Sequence, residues 1–229
     1  MISLIIVGSF IDKAYCDRPS VYILEVCRQL YLDVIGKQKN NEMKSKKLKK
    51  YIAFLRGINV GGHHKVPMVD LGKELKKLGF ENVVTLLNSG NIIFDTTNNN
   101  LEEVEKMISS NLEKKFGFPI PTIIRNSETI EELFNEAPFQ NVHVTKDIRL
   151  YVTFLRKDTE TDLELPWTSA DNSYTIIEVR DRTILSVLDL SISKTPKAME
   201  AVENFFGSDI TTRNWKTIER IVKKIQTSC

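Results

Sequence analysis

No stretch of the 229 residues approaches the roughly 18 consecutive apolar residues of a membrane-spanning helix, so no membrane span is expected. Cysteine is scarce: Cys16, Cys27 and Cys229 share no metal-ligand spacing and read as loose thiols of a reducing cytosol, which sets aside a disulfide scaffold and predicts a cytoplasmic protein. Histidine is equally scarce, with His63, His64 and His143 alone. Adjacent residues rarely chelate one ion together, and no carboxylate is suitably spaced around the pair, so no metal is expected. Charge of one sign is missing too: Lys and Arg exceed Asp and Glu by only two, too small an excess to announce a nucleic-acid-binding domain. G-x-S-x-G, G-x-x-x-x-G-K-[ST] and G-x-G-x-x-G are all absent, so the chain has neither a nucleophile elbow nor a familiar phosphate loop, and no cofactor is expected.

Residues 1–42 read unlike the rest. MISLIIVGSFI is apolar, but no basic residue precedes it and no small-residue cleavage site follows it in a suitable place, so it is not expected to be a secretion signal. Met43, followed by KSKKLKK and a strand-like run, is the expected native start, with residues 1–50 outside the folded domain. The alternative is a helical extension, because VYILEVCRQLYLDVI has helix-compatible apolar spacing. The lysines at 44, 46, 47, 49 and 50 suit a solvated leader or a phosphate-contacting arm.

From residue 51 the order of elements is legible. YIAFLRGI (51–58) is aromatic and β-branched, as strands are. Pro67 suits a first helical turn, Met68, Leu71, Leu75 and Leu78 keep helical spacing, and Gly79 supplies a stop. VVTLL (83–87) and NIIFD (91–95) read as a hairpin through Asn88-Ser89-Gly90. Leu101, Val104, Ile108 and Leu112 predict a second helix ending at Gly117, and PTIIRN (121–126) a further strand. The sum is β-α-β-β-α-β, the ferredoxin-like order.

KYIAFLR (50–56) then recurs as LYVTFLR (150–156), and KKFGFPIPTIIRN is echoed by NFFGSDITTRN. YTIIEVR and TILSVLDL form a second predicted hairpin, and KAMEAVENFFG a helix ending at Gly207, preceded by Lys194 and Pro196. The expected fold is therefore α+β: two ferredoxin-like halves from an internal duplication, with helices packed on antiparallel sheets. The first half spans 51–126, a helical connector 127–148, and the second half 149–229 with a C-terminal helix carrying Trp215, Ile218, Ile221, Val222 and Ile225 on one face. Residues 157–173, where the second half needs its first helix, are poorly periodic and suit a helical turn or a loop.

LRGINVGG followed by a basic residue and VPM, then LGF, NSGNIIF and TTRNWKTIERI, resembles the bacterial family called domain of unknown function 1697, over residues 51 to about 225. The resemblance implies an α+β fold with ferredoxin-like halves, and no activity. Members commonly carry Asn where this chain has His64 and Gln where it has Asn88.

The candidate site begins at the junction 57–66, a strand end running into a helix N-terminus, where free N–H groups favour an anion. Arg56 and Lys65 add positive charge, Gly61 and Gly62 admit a ligand close to the backbone, and Asn59 and His64 are polar neighbours. Asn88, Ser89 and Asn91 at the hairpin, and Arg213, Asn214 and Trp215 at the opening of the last helix, complete the candidate ligand-binding set. The same residues also suit structural duties: tight turns, an ion pair at Arg56 and Arg213, a core position for Trp215. The expected function is binding of a phosphate-bearing or other anionic small molecule, nucleotide-like, in a basic groove between the halves. One rival is an enzyme using His64 or Lys65 for acid–base chemistry; the other is a protein-interaction or structural module. Nucleic acid is a less favoured partner because the RNP pattern is missing. The oligomeric state is not legible.

Overall fold

The computed structural model describes Arg28, Gln29, residues 47–159 and residues 162–227. Arg28 and Gln29 have helical backbone; the expectations placed on Met43 and on the rest of the N-terminal segment lie outside the described residues. Residues 48–229 form one unit. Among the described residues no helix is long and apolar enough to cross a membrane.

The unit opens with β1 (Lys49–Leu55), α1 (Met68–Lys77), β2 (Glu81–Leu86), β3 (Asn91–Thr96), α2 (Leu101–Phe116) and β4 (Thr122–Asn126). α3 (Ser127–Asn135) leads to β5 (Ile148–Leu155), β6 (Trp167–Thr168), β7 (Tyr174–Arg180), β8 (Thr183–Asp189), α4 (Thr195–Phe206), β9 (Ile210–Asn214) and α5 (Trp215–Gln226). The strands form two antiparallel sheets, ordered β2-β3-β1-β4 and β6-β7-β8-β5-β9. With β6 set aside, the two share both their order and their register. Tyr51 faces Asn126 and Ile52 faces Arg125; Tyr151 faces Asn214 and Val152 faces Arg213.

Local chemistry explains the helix starts. Asn100, Asn126 and Asn214 each accept a hydrogen bond from a first-turn N–H of α2, α3 and α5, the arrangement favoured at N-caps. Side chains alternate along β1, yet both of its faces are covered, which is why it reads as one continuous apolar run. Tyr51, Ala53 and Leu55 face α1 and α2; Ile52 and Phe54 face the second sheet. That central layer joins Phe54 and Ile123 to Val152, Phe154 and Leu185, and is filled out by Ile130 of α3 and by Trp215, Ile218 and Ile221 of α5. A third cluster lies on the outer face of the second sheet, under α4.

One alternative left open by the sequence is decided and one expectation is corrected. Residues 157–173 hold no helix among the described residues; they carry loops and the two-residue β6, which pairs Trp167 with Ile176. Arg213 does not open the last helix but lies with Thr211 and Thr212 in β9, where Thr212 meets Thr153 through their hydroxyls at 2.7 Å. β-branched threonines fit the pleated surface, and Asn214 alone is the cap.

Candidate functional site

The junction after β1 is clasped by one side chain. Asn59 Nδ2 donates to Val66 O at 3.0 Å and to Asn88 O at 2.8 Å, while its Oδ1 accepts from Val66 N at 2.8 Å. Asn59 thereby ties the loop to the β2–β3 turn. Gly61, Gly62, His64 and Lys65 are exposed at its tip. The His64 ring stacks on Phe118 at 4.3 Å, and its Nδ1 lies 3.1 Å from Gly57 O. A carbonyl only accepts, so that nitrogen carries the proton.

The arginines of the repeated motifs cross between the sheets. Arg213 on β9 is 7% exposed and reaches into the first sheet. Its Nε donates to Asn91 Oδ1 at 2.6 Å and its Nη2 to the carbonyls of Leu55, Ser89 and Gly90, while Nη1 serves Thr211 Oγ1 and Thr212 O. Arg125 on β4 does the reverse: its Nη2 donates to Leu155 O and Arg182 O of the second sheet. Neither is salt-bridged to a carboxylate among the described residues. Burial pulls both guanidinium groups down to about 10, which leaves them charged at neutral pH. Arg213 lies 5.5 Å from the centre of the Phe54 ring and Arg125 lies 5.4 Å from that of Phe154; the two rings stack on each other at 4.4 Å. The order Arg213, Phe54, Phe154, Arg125 is a cation–ring stack through the contact between the sheets.

Arg56 and Arg156 cross as well. Arg56 pairs with Glu203 of α4 at 2.7 Å and donates to Ser208 O and Ile210 O. Arg156 pairs with Glu105 of α2 at 2.9 Å and with Asp209 at 3.0 Å. Glu105 also accepts from Ile124 N at 2.7 Å. Burial is the dominant influence on Glu105 and raises its pKa above the ordinary 4.5, against the opposing pulls of the Ile124 N–H and Arg156. With the folded value above the unfolded one, the folded protein binds more protons between the two, so this contribution to stability is fully present below 4.5 and lost as pH rises through the folded value. Glu105→Gln removes that proton uptake. Melting temperatures across a pH series are expected to show a flatter fall from pH 4.5 upward than in the unsubstituted chain.

Each crossing leaves a cleft beside it. The smaller, of 310 Å³, lies between the β1 end and α4; Arg56, Ser89 and Arg213 line it with Tyr151, Thr195 and Thr212. The larger, of 610 Å³, lies between α2 and the ends of β5 and β9. Of the twelve candidate residues, three thus share one groove. Asn91 is fully buried behind it as the partner of Arg213, and Asn88 and Asn59 brace the neighbouring loop. Asn214 caps α5, and Trp215 is buried against Phe139 at 5.1 Å. His64 and Lys65 do not line the groove. Tyr151 and Thr195, joined through their hydroxyls at 3.2 Å, belong to it without any sequence signal beyond the tyrosine repeated from position 51. Among the described residues no group of three His, Cys, Asp or Glu side chains is placed to hold a metal.

Fold and site together define an α+β protein of two antiparallel sheets clasped by exchanged arginines. The chain belongs to the family DUF1697, described as protein of unknown function, whose model matches residues 48–184. A similar solved structure is that of the conserved bacterial protein SP0830 from Streptococcus pneumoniae, with a TM-score of 0.61 at 25% identity, covering 79% of this chain and 99% of that one. No curated protein matches the chain.

Proposed function

We propose that the chain is two copies of one ferredoxin-like unit, spanning 51–126 and 149–229, the second carrying loops and β6 in place of the first helix, and that it binds a small anionic ligand in the groove between them. The duplication is supported by the shared strand order and by the exchange of Arg125 for Arg213 and Arg56 for Arg156. The binding reading is carried by the convergence of Arg56, Ser89 and Arg213 with the hydroxyls of Tyr151 and Thr195 in one groove. The groove includes Thr195, the first residue of α4, whose N-cap Lys194 makes no side-chain cap hydrogen bond, so the positive end of the helix adds to the anion's attraction. Arg56 is already paired with Glu203, so the ligand competes with that carboxylate rather than meeting a bare cation.

The acid–base alternative has less support, because the His64 ring is stacked on Phe118 and Lys65 lies outside the groove. The test is a thermal-shift series with inorganic phosphate, sulfate and citrate on the unsubstituted chain and on Thr195→Val. A rise of several degrees with at least one anion, at least halved in Thr195→Val, is expected. No rise with any of them at millimolar concentration overturns the reading.

A further inference from the structure

The two sheets differ at one matched place. Leu55 N donates to Gly90 O at 2.8 Å in the first, and Leu155 N donates to Arg182 O at 2.9 Å in the second. Both carbonyls also accept from a crossing arginine. Both residues are left-handed, with φ of 72° at Gly90 and 58° at Arg182, and Asp181 before Arg182 has φ of 45°. Two successive left-handed residues between paired strands are the conformation for which Asn-Gly is favoured. An L-residue there costs about 1–2 kcal/mol that glycine does not. The structural duty of this position belongs to its carbonyl, which glycine performs equally well in the other sheet. A costly arginine at such a place points to work for its side chain.

That side chain lines the 610 Å³ cleft, a volume in the range of small-ligand sites. Arg156 there is committed to Glu105 and Asp209. The side chains of Lys106, Lys157 and Arg182 have no hydrogen-bond or ion-pair partner among the described residues. Ile120 and Pro121 give the cleft an apolar wall, and Ser109, Glu102 and Glu113 offer hydrogen-bonding groups along α2. We propose that this cleft is a second binding site, separate from the α4 groove, for a phosphate monoester with a hydroxyl-bearing, partly apolar body of the nucleoside monophosphate kind. Arg182 and Lys157 hold the phosphate, the guanidinium through paired N–H donors. The carboxylates of α2 accept from the body's hydroxyls, and Ile120 and Pro121 pack against its ring.

The test exploits the backbone. Arg182→Gly relieves the left-handed conformation, so it removes the side chain without the usual penalty of a truncation. Calorimetric titration of the full chain with adenosine monophosphate is expected to show binding that Arg182→Gly weakens at least 10-fold and Thr195→Val leaves unchanged, with the melting temperature of Arg182→Gly equal to or above that of the unsubstituted chain. Inorganic phosphate is expected to bind more weakly than the monophosphate. The proposal is overturned by no heat with adenosine monophosphate at millimolar concentration, by equal affinity in Arg182→Gly, or by a melting temperature several degrees lower in that variant. Tighter binding of a short single-stranded oligonucleotide than of the monophosphate overturns it in favour of nucleic acid.

Discussion

Replacing Arg213 with alanine is expected to cost about 4 kcal/mol of stability, within the range for breaking a buried charged network. The buried acceptors it leaves behind set that figure: Asn91 Oδ1 and the carbonyls of Leu55 and Gly90 each lose a donor. The guanidinium volume above Phe54 also becomes a cavity. At about 2–4 °C per kcal/mol for a chain of this size, the melting temperature falls by about 8–16 °C. Arg213→Lys is not expected to rescue it, because one ammonium cannot reproduce a planar fork that serves both sheets. Arg125→Ala is expected to cost less. Asn91 lies opposite Phe54, whereas Thr183 lies opposite Phe154, and the buried Arg125 Nε has no hydrogen-bond partner among the described residues. Thermal and urea unfolding of the three variants checks this order; an Arg213→Ala chain that melts with the unsubstituted one would falsify the account of the crossing.

What the sequence disclosed and what it withheld follow from this. Periodicity and caps locate single elements, so α1, α2 and the two hairpins are legible within a few residues: Gly117 closes α2 with φ of 81°, and Gly207 follows α4. The last strand was concealed because TTRN resembles a helix entrance, and only pairing with β5 makes it a strand. The recurrence of Phe-Leu-Arg and Arg-Asn was visible, but not its purpose. A repeated arginine beside a glycine-rich loop suggests a ligand, and only the approach of the two sheets shows Arg125 and Arg213 committed to the carbonyls of the opposite sheet. For the same reason the cleft beside α2 had no signature: Lys106, Lys157 and Arg182 come from three separate segments with no common motif.

The matched positions 90 and 182 allow the second large prediction. Gly90→Ala is expected to cost about 3 kcal/mol, part of it the left-handed backbone and part overpacking. An added Cβ would lie 2.6 Å from Ile58 Cδ1 and 2.8 Å from Leu55 Cβ. The Ile58 methyl is the end of a flexible side chain, but it is buried at 2% exposure and has little room to retreat. Leu55 Cβ is fixed to the strand at the centre of the sheet, so the turn itself must move. Moving it draws Gly90 O away from Leu55 N and from the Arg213 fork. The second sheet carries a side chain at the matched place, and Asp158, three residues beyond Leu155 as Ile58 is beyond Leu55, is exposed where Ile58 is buried. A left-handed φ at both positions therefore goes with opposite signs: loss of stability for Gly90→Ala, none or a gain for Arg182→Gly. A double variant, Gly90→Ala with Arg213→Ala, is expected to lose less than the two losses added, because the first already disturbs the cage that the second empties. Strict additivity in urea unfolding would show instead that the turn and the crossing arginine are energetically independent.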